Sequence, residues 1–109
     1  MVFVSIRIVV LPNKHDEALK ILRSTAEWSR IKPGCLSSRI YEDVQEDNAL
    51  MFEEIWRCEE DLEYHLRSDA YQKVLLVLEM ALKQPEIRFD TISGSTGIET
   101  IEKARGYAR

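Results

Sequence analysis

An α+β domain with the element order βαββαβ follows from three features of this 109-residue chain. A run rich in Val and Ile, Val2 to Leu11, reads as an opening strand. Two later runs that flank a polar "QEDN" read as a hairpin. Apolar residues at helical spacing fill the stretches between the strands. The length fits one domain, and 45% hydrophobic with 31% charged residues is enough apolar material for a core.

In the first strand Val2, Val4, Ile6, Ile8 and Val10 point one way, and Phe3, Ser5, Arg7, Val9 and Leu11 the other. The second face is mixed rather than solvent-like, as expected of a strand covered on both sides or partly covered by a partner. Pro12 ends the strand. Asn13 can cap a helix whose apolar positions are Ala18, Ile21, Leu22, Thr25 and Trp28/Ser29. Pro33 and Gly34 stop that helix near Arg30 and make "KPGC" a turn. Cys35 to Val44 and Ala49 to Arg57 are the hairpin strands.

Glu59, Glu60 and Asp61 suit the positive end of a short helix that carries Leu62, His65 and Leu66 on one side. Ser68 or Asp69 can cap a second segment with the apolar stripe Tyr71, Val74, Leu75, Leu78 and Ala81/Leu82. Pro85 ends it, and Glu86 to Ser93 is the fourth strand. This order is the ferredoxin-like plan, an antiparallel sheet with both helical layers on one face. A second copy of the chain is the expected cover for the other face. Residues 1–93 then form the domain and 94–109 a tail. "SGSTG" is a joint, and Thr96 with Glu99 makes a capping-box pattern for a short helix, either docked on a neighbour or pocket mouth or frayed.

Several function classes find no support. The net charge is −4 with both signs interspersed, so nucleic acid is not an expected partner. Cys35 and Cys58 make no disulfide framework or metal pair, and read as free thiols of a cytoplasmic protein. The opening run carries Arg7 and is too short for a membrane span, and it does not read as a signal peptide. No histidine–carboxylate spacing marks a metal site, and neither a phosphate loop nor a nucleophile elbow occurs.

The chemistry-bearing residues cluster in "FEEIWRCEEDLEYHLRSDAY", from Phe52 to Tyr71. Glu54 and Trp56 share strand parity, so both point inward with Phe52. An inward carboxylate needs a mate, and Arg39 or Arg88 on neighbouring strands is the expected one. Trp56 can wall a pocket, stack on an aromatic ring or donate its indole N–H; plain core packing is the simpler role. His65 can move a proton near neutral pH if it faces a cavity, or serve as a buried hydrogen-bonding residue if it does not. Tyr41 and Tyr71 can offer hydroxyls to a substrate or simply pack, and Trp28 can wall the same pocket or pack in the core.

Glu54-x-Trp56, the acidic turn and "HLRSDAYQ" at 65–72 resemble the antibiotic biosynthesis monooxygenase domain family, and the likeness in element order runs over residues 2–93. The resemblance implies a homodimeric α+β barrel with a pocket between sheet and helices in each protomer. It also implies an oxygenase that acts on a quinol, polyphenol or polyketide-like aromatic with dioxygen, with no metal or other cofactor. Its haem-degrading branch fits poorly. That branch has tryptophan where this chain has His65, an iron-ligating histidine where it has Leu75, and an asparagine near Arg7. Leucine cannot ligate iron. On this reading His65 and Glu54 are the catalytic candidates, with Trp56, Tyr71, Tyr41, Arg39 and Trp28 binding substrate. Two other functions remain open: a small-molecule binding protein or isomerase without oxygen chemistry, and a structural dimer with a vestigial pocket.

Overall fold

A computed structural model describes residues 1–106. It contains strands β1 (Val2–Val9), β2 (Cys35–Glu42), β3 (Ala49–Trp56) and β4 (Glu86–Thr91). The helices are α1 (His15–Arg30), α2 (Glu59–Leu66), α3 (Gln72–Leu78) and α4 (Ile98–Ala104). The four strands form one antiparallel sheet in the order β2-β3-β1-β4. The fold is therefore the expected α+β, ferredoxin-like arrangement.

Alternation along β1 and β3 sets which face is covered. Val2, Val4, Ile6 and Ile8 are buried, as are Leu50, Phe52, Glu54 and Trp56, while Phe3, Ser5, Arg7, Met51, Glu53 and Ile55 are only half-buried. Helices α1, α2 and α3 lie on the first of these faces. Ala18, Leu22 and Ala26 of α1 and Val74 and Val77 of α3 pack on Ile6, Ile8, Leu50 and Phe52. Leu62 of α2 joins Val2, Val4 and Trp56 in a smaller cluster toward the other end. That smaller cluster borders the candidate site.

Several local expectations are corrected. Asn13 does not cap α1: Pro12–Lys14 winds into a 3-10 turn first, and no side chain caps His15. Ser68 does not cap the next segment either, because its hydroxyl donates back to the His65 carbonyl at 2.6 Å. β2 stops at Glu42 because the Asp43 side chain accepts the Gln45 N–H at 2.8 Å and turns the chain. Asn48 completes that hairpin at φ 63°, a left-handed conformation asparagine tolerates.

The buried stripe of α3 is Tyr71, Val74 and Val77; Leu75 and Leu82 are exposed. The helix ends at Leu78 because β1 captures the following residues. Leu11 N–H donates to the Met80 carbonyl at 3.0 Å, and Leu82 N–H to that of Val9 at 2.7 Å. In the tail, Thr96 does not open the helix. Gly97 takes the cap position, and the Glu99 carboxylate accepts its N–H at 2.7 Å. Ile98 and Ile101 of α4 are exposed. The last three residues of the expected tail segment lie outside the described residues.

Candidate active site

β3 ends with Glu54 and Trp56 on its covered face, and both are buried. Ser38 of β2 is the Cα partner of Glu54 in the sheet, so its hydroxyl meets the carboxylate directly. It donates to Oε2 at 2.7 Å, and the Trp56 indole N–H donates to Oε1 at 3.2 Å. The carboxylate thus receives one donor on each oxygen. α2 brings His65 over the same point, one turn after buried Leu62. The imidazole Nε2 lies 3.6 Å from Glu54 Oε1 and 3.4 Å from the Ser29 hydroxyl of α1.

The imidazole also lies over the indole of Trp56, with centroids 4.6 Å apart and planes at 30°, and meets the ring of Tyr71 edge-on at 5.5 Å. His65 is 4% exposed, and its Nδ1 has no hydrogen-bond partner among the described residues. With a carboxylate facing Nε2, the favoured neutral tautomer carries its proton there, which leaves the Nδ1 lone pair free.

Charge follows from burial. Burial pushes the His65 pKa below the ordinary imidazole value; the Glu54 carboxylate opposes that shift, and the Lys32 ammonium adds to it. The imidazole is therefore neutral at pH 7. Burial, with a smaller contribution from Glu54, pushes the Tyr71 phenol up to about 12 and the Cys35 thiol up to about 11. Neither is ionised near neutrality.

Beside the rings lies a cleft of about 70 Å³, lined by Trp56 and His65 and by Lys32, Asp61, Tyr64 and Ser68. Several waters fit a space of that size, since one needs roughly 10–15 Å³. It is smaller than the roughly 300–1,000 Å³ of drug-sized ligand pockets. Trp56 and His65 thus do border a common hollow, but a small one. Among the described residues no group of three His, Cys, Asp or Glu side chains is placed to hold a metal ion.

The other predicted residues sit elsewhere. Arg39 and Tyr41 pair with Glu53 and Met51 and are exposed on the opposite side of the sheet. Arg39 therefore does not reach Glu54. Nor does Arg88, which pairs with Asp90 at 3.4 Å. Tyr71 backs the imidazole without lining the cleft. Trp28 is exposed and carries the Lys32 ammonium 5.2 Å above its ring. The sequence reading gave no site role to Ser38, Ser29 or Lys32. Ser29 follows Thr25 by one turn on the buried side of α1, the spacing that placed it among the helix's periodic positions without marking it as a site residue. α4 does not line the cleft.

The comparisons bear on the fold and on this stretch of chain. The model of the family described as antibiotic biosynthesis monooxygenase matches residues 1–75, which include Ser38, Glu54, Trp56, His65 and Tyr71. The chain belongs to the antibiotic biosynthesis monooxygenase family.

Solved structures share the family's fold. A crystal structure of an antibiotic biosynthesis monooxygenase superposes with a TM-score of 0.77 at 20% identity, over 86% of this chain and all of that one. A conserved protein from Methanosarcina mazei Go1 gives a TM-score of 0.75 at 27% identity, over 82% of this chain and 89% of that one. An uncharacterised protein of Synechocystis sp. (strain ATCC 27184 / PCC 6803 / Kazusa) is 38% identical over 66 residues, which is 61% of this chain. The match covers 45% of that curated relative's length.

Proposed function

We propose that this member of the antibiotic biosynthesis monooxygenase family is an oxygenase for a quinol-type aromatic, with His65 as the base and Glu54 as its charge partner. The carrying observation is the buried Glu54–His65 pair whose unpartnered Nδ1 belongs to a cleft-lining ring. Family membership supports the reaction class.

The chemistry needs a proton to leave the substrate. A hydroquinone reacts poorly with dioxygen until a hydroxyl ionises. The lone pair on His65 Nδ1 takes that proton, and Glu54, opposite Nε2, stabilises the imidazolium that results. The 3.6 Å separation is loose, as catalytic hydrogen bonds often are before substrate is bound. The electron-rich anion can then pass an electron to dioxygen. The balanced outcome is hydroquinone plus dioxygen giving hydroxyquinone plus water. One oxygen atom enters the ring and the other leaves as water. The substrate supplies all four electrons, two through ring hydroxylation and two through oxidation to the quinone. The small cleft favours a single ring over a polycyclic substrate.

Oxygen uptake with a panel of hydroquinones tests the proposal. The wild type should consume oxygen above the spontaneous rate, and His65→Ala should lose 10²-fold or more, on the order expected for loss of a general base. An unchanged His65→Ala rate would remove the base from the mechanism. Turnover that persists without oxygen would point instead to proton-transfer isomerisation.

A further inference from the structure

The cleft carries a charge that the proton-transfer reading leaves unused. Two of its lining residues are ionic, Lys32 and Asp61. Asp61 is already engaged: its Oδ2 accepts from the Arg57 guanidinium at 2.6 Å and from the Cys58 thiol at 3.2 Å. Lys32 has no carboxylate within ion-pair reach among the described residues, and its ammonium rests over the exposed ring of Trp28. Among the described residues this cation has no counter-charge, at a cleft that also has an aromatic wall and a buried ring nitrogen without a partner.

We propose that the cleft takes a one-ring hydroxyaromatic carboxylate, with the ring in the hollow that Trp56, His65 and Tyr64 border and the carboxylate paired to Lys32. The placement of the ligand's hydroxyl at His65 rests on the function proposed above. Size and charge agree on the orientation. A cleft of about 70 Å³ holds less than a full substituted ring, so part of the ligand stays at the rim. The exposed Tyr64 ring and Lys32 lie among the lining groups that can meet it. An anionic substituent at the rim remains partly hydrated and gains a charge-assisted hydrogen bond. Because its carboxylate is held by Arg57 and Cys58, Asp61 presents less negative charge to such a ligand than a free aspartate would.

Anaerobic calorimetry separates the ligand class from the oxygen chemistry. The probes are 2,5-dihydroxybenzoate, its neutral carboxamide and hydroquinone, titrated into the wild type, Lys32→Met and Lys32→Arg. The acid should bind the wild type about tenfold more tightly than the carboxamide, in line with one charge-assisted hydrogen bond. That preference should vanish in Lys32→Met, persist in part in Lys32→Arg and shrink as salt is raised. Equal binding of acid and carboxamide overturns the inference, as does a preference that survives Lys32→Met or an acid that does not bind. Far-ultraviolet circular dichroism on Lys32→Met confirms that a lost preference is not lost folding. Oxygen uptake plays no part in the readout. Failure of the oxygenase reading and failure of the ligand class are therefore separate results.

Discussion

The Ser38 hydroxyl donates to Glu54 Oε2 at 2.7 Å across two paired strands, and both residues are almost wholly buried. An ionisable carboxylate in an apolar layer is held there by donors, of which this is the shortest. Removing it should leave one carboxylate oxygen unsatisfied, at a cost of about 1–3 kcal/mol. Ser38→Ala should therefore lower unfolding free energy by that amount in urea titrations. Adding Glu54→Leu to Ser38→Ala removes both polar partners. The double variant should be more stable than the sum of the two single losses, with a coupling of about 1 kcal/mol. Strict additivity would show that the bond does not support the carboxylate.

His65 predicts a direction for pH dependence. Its folded pKa lies below the ordinary 6.5 because burial disfavours the imidazolium, with Lys32 adding to that effect and Glu54 opposing it. Tyr71 faces the ring edge-on, and Ser29 approaches Nε2 without charge. Between the two pKa values the unfolded chain binds more protons than the folded one, so stability rises with pH. The stabilisation is complete above 6.5 and is lost as pH falls through the lowered folded value. A His65→Gln variant should show a flatter stability profile from pH 7 to pH 5 than the wild type, followed by thermal melts across that range. In the proposed mechanism this neutral ring acts as the base, so kcat/KM should rise to a plateau with an apparent pKa below 6.5.

The parity of β3 was legible because a period of two needs no partner: Phe52, Glu54 and Trp56 had to share a face. His65 followed from Leu62 by one helical turn. β2 was harder. Its ladder shifts register between Cys35 and Ser37, and that irregularity makes Ser38, rather than Arg39 or Tyr41, the inward residue opposite Glu54. Without the pairing, Arg39 looked like the natural mate for a buried acid. α3 misled for another reason. In "VLLVL" every position is apolar, so periodicity could not tell Val77 from Leu75, and packing against α1 decided. Lys32 follows the end of α1 and has no periodic signal at all.

The turn that carries Lys32 depends on Gly34. Its φ is +84°, and a Cβ added there would come within 2.2–2.6 Å of Asp61 side-chain atoms, a cleft-lining residue. Gly34→Ala should cost about 1–3 kcal/mol from backbone strain. It should also push the Asp61 carboxylate away from Arg57. Gly94→Ala is the matched control: an added Cβ there meets nothing within 4 Å, and its φ lies outside the left-handed region. Its effect should stay within about 0.5 kcal/mol. Chemical denaturation of the pair reads both, and equal stability of the two variants would contradict the account of the turn.

The uncovered face of the sheet predicts self-association. Phe3 and Ile55 are Cα partners on that face, as are Met51 and Tyr41, and α1, α2 and α3 pack on the other one. Part of its charge is already met within the chain: Arg7 pairs with Asp43 at 2.9 Å and with Glu46 at 2.7 Å, and Arg88 with Asp90 at 3.4 Å, while Arg39 and Glu53 face each other across β2 and β3. Burying such a face strands fewer lone charges than an unpaired set would. Four strands of this length present a footprint of roughly 500 Å² before side-chain relief is counted. Stable interfaces begin near about 500 Å² per partner. A second copy laid sheet to sheet would complete the layer. Sedimentation of the wild type at micromolar concentration should give a dimer. Ile55→Glu places a charge at the centre of the apolar patch and should shift the protein to monomer, with its circular dichroism unchanged. A wild type that sediments as monomer across that range would rule out the sheet-to-sheet dimer. An Ile55→Glu variant that stays dimeric would place the contact elsewhere, with the exposed Ile98 and Ile101 of α4 as the next surface to alter.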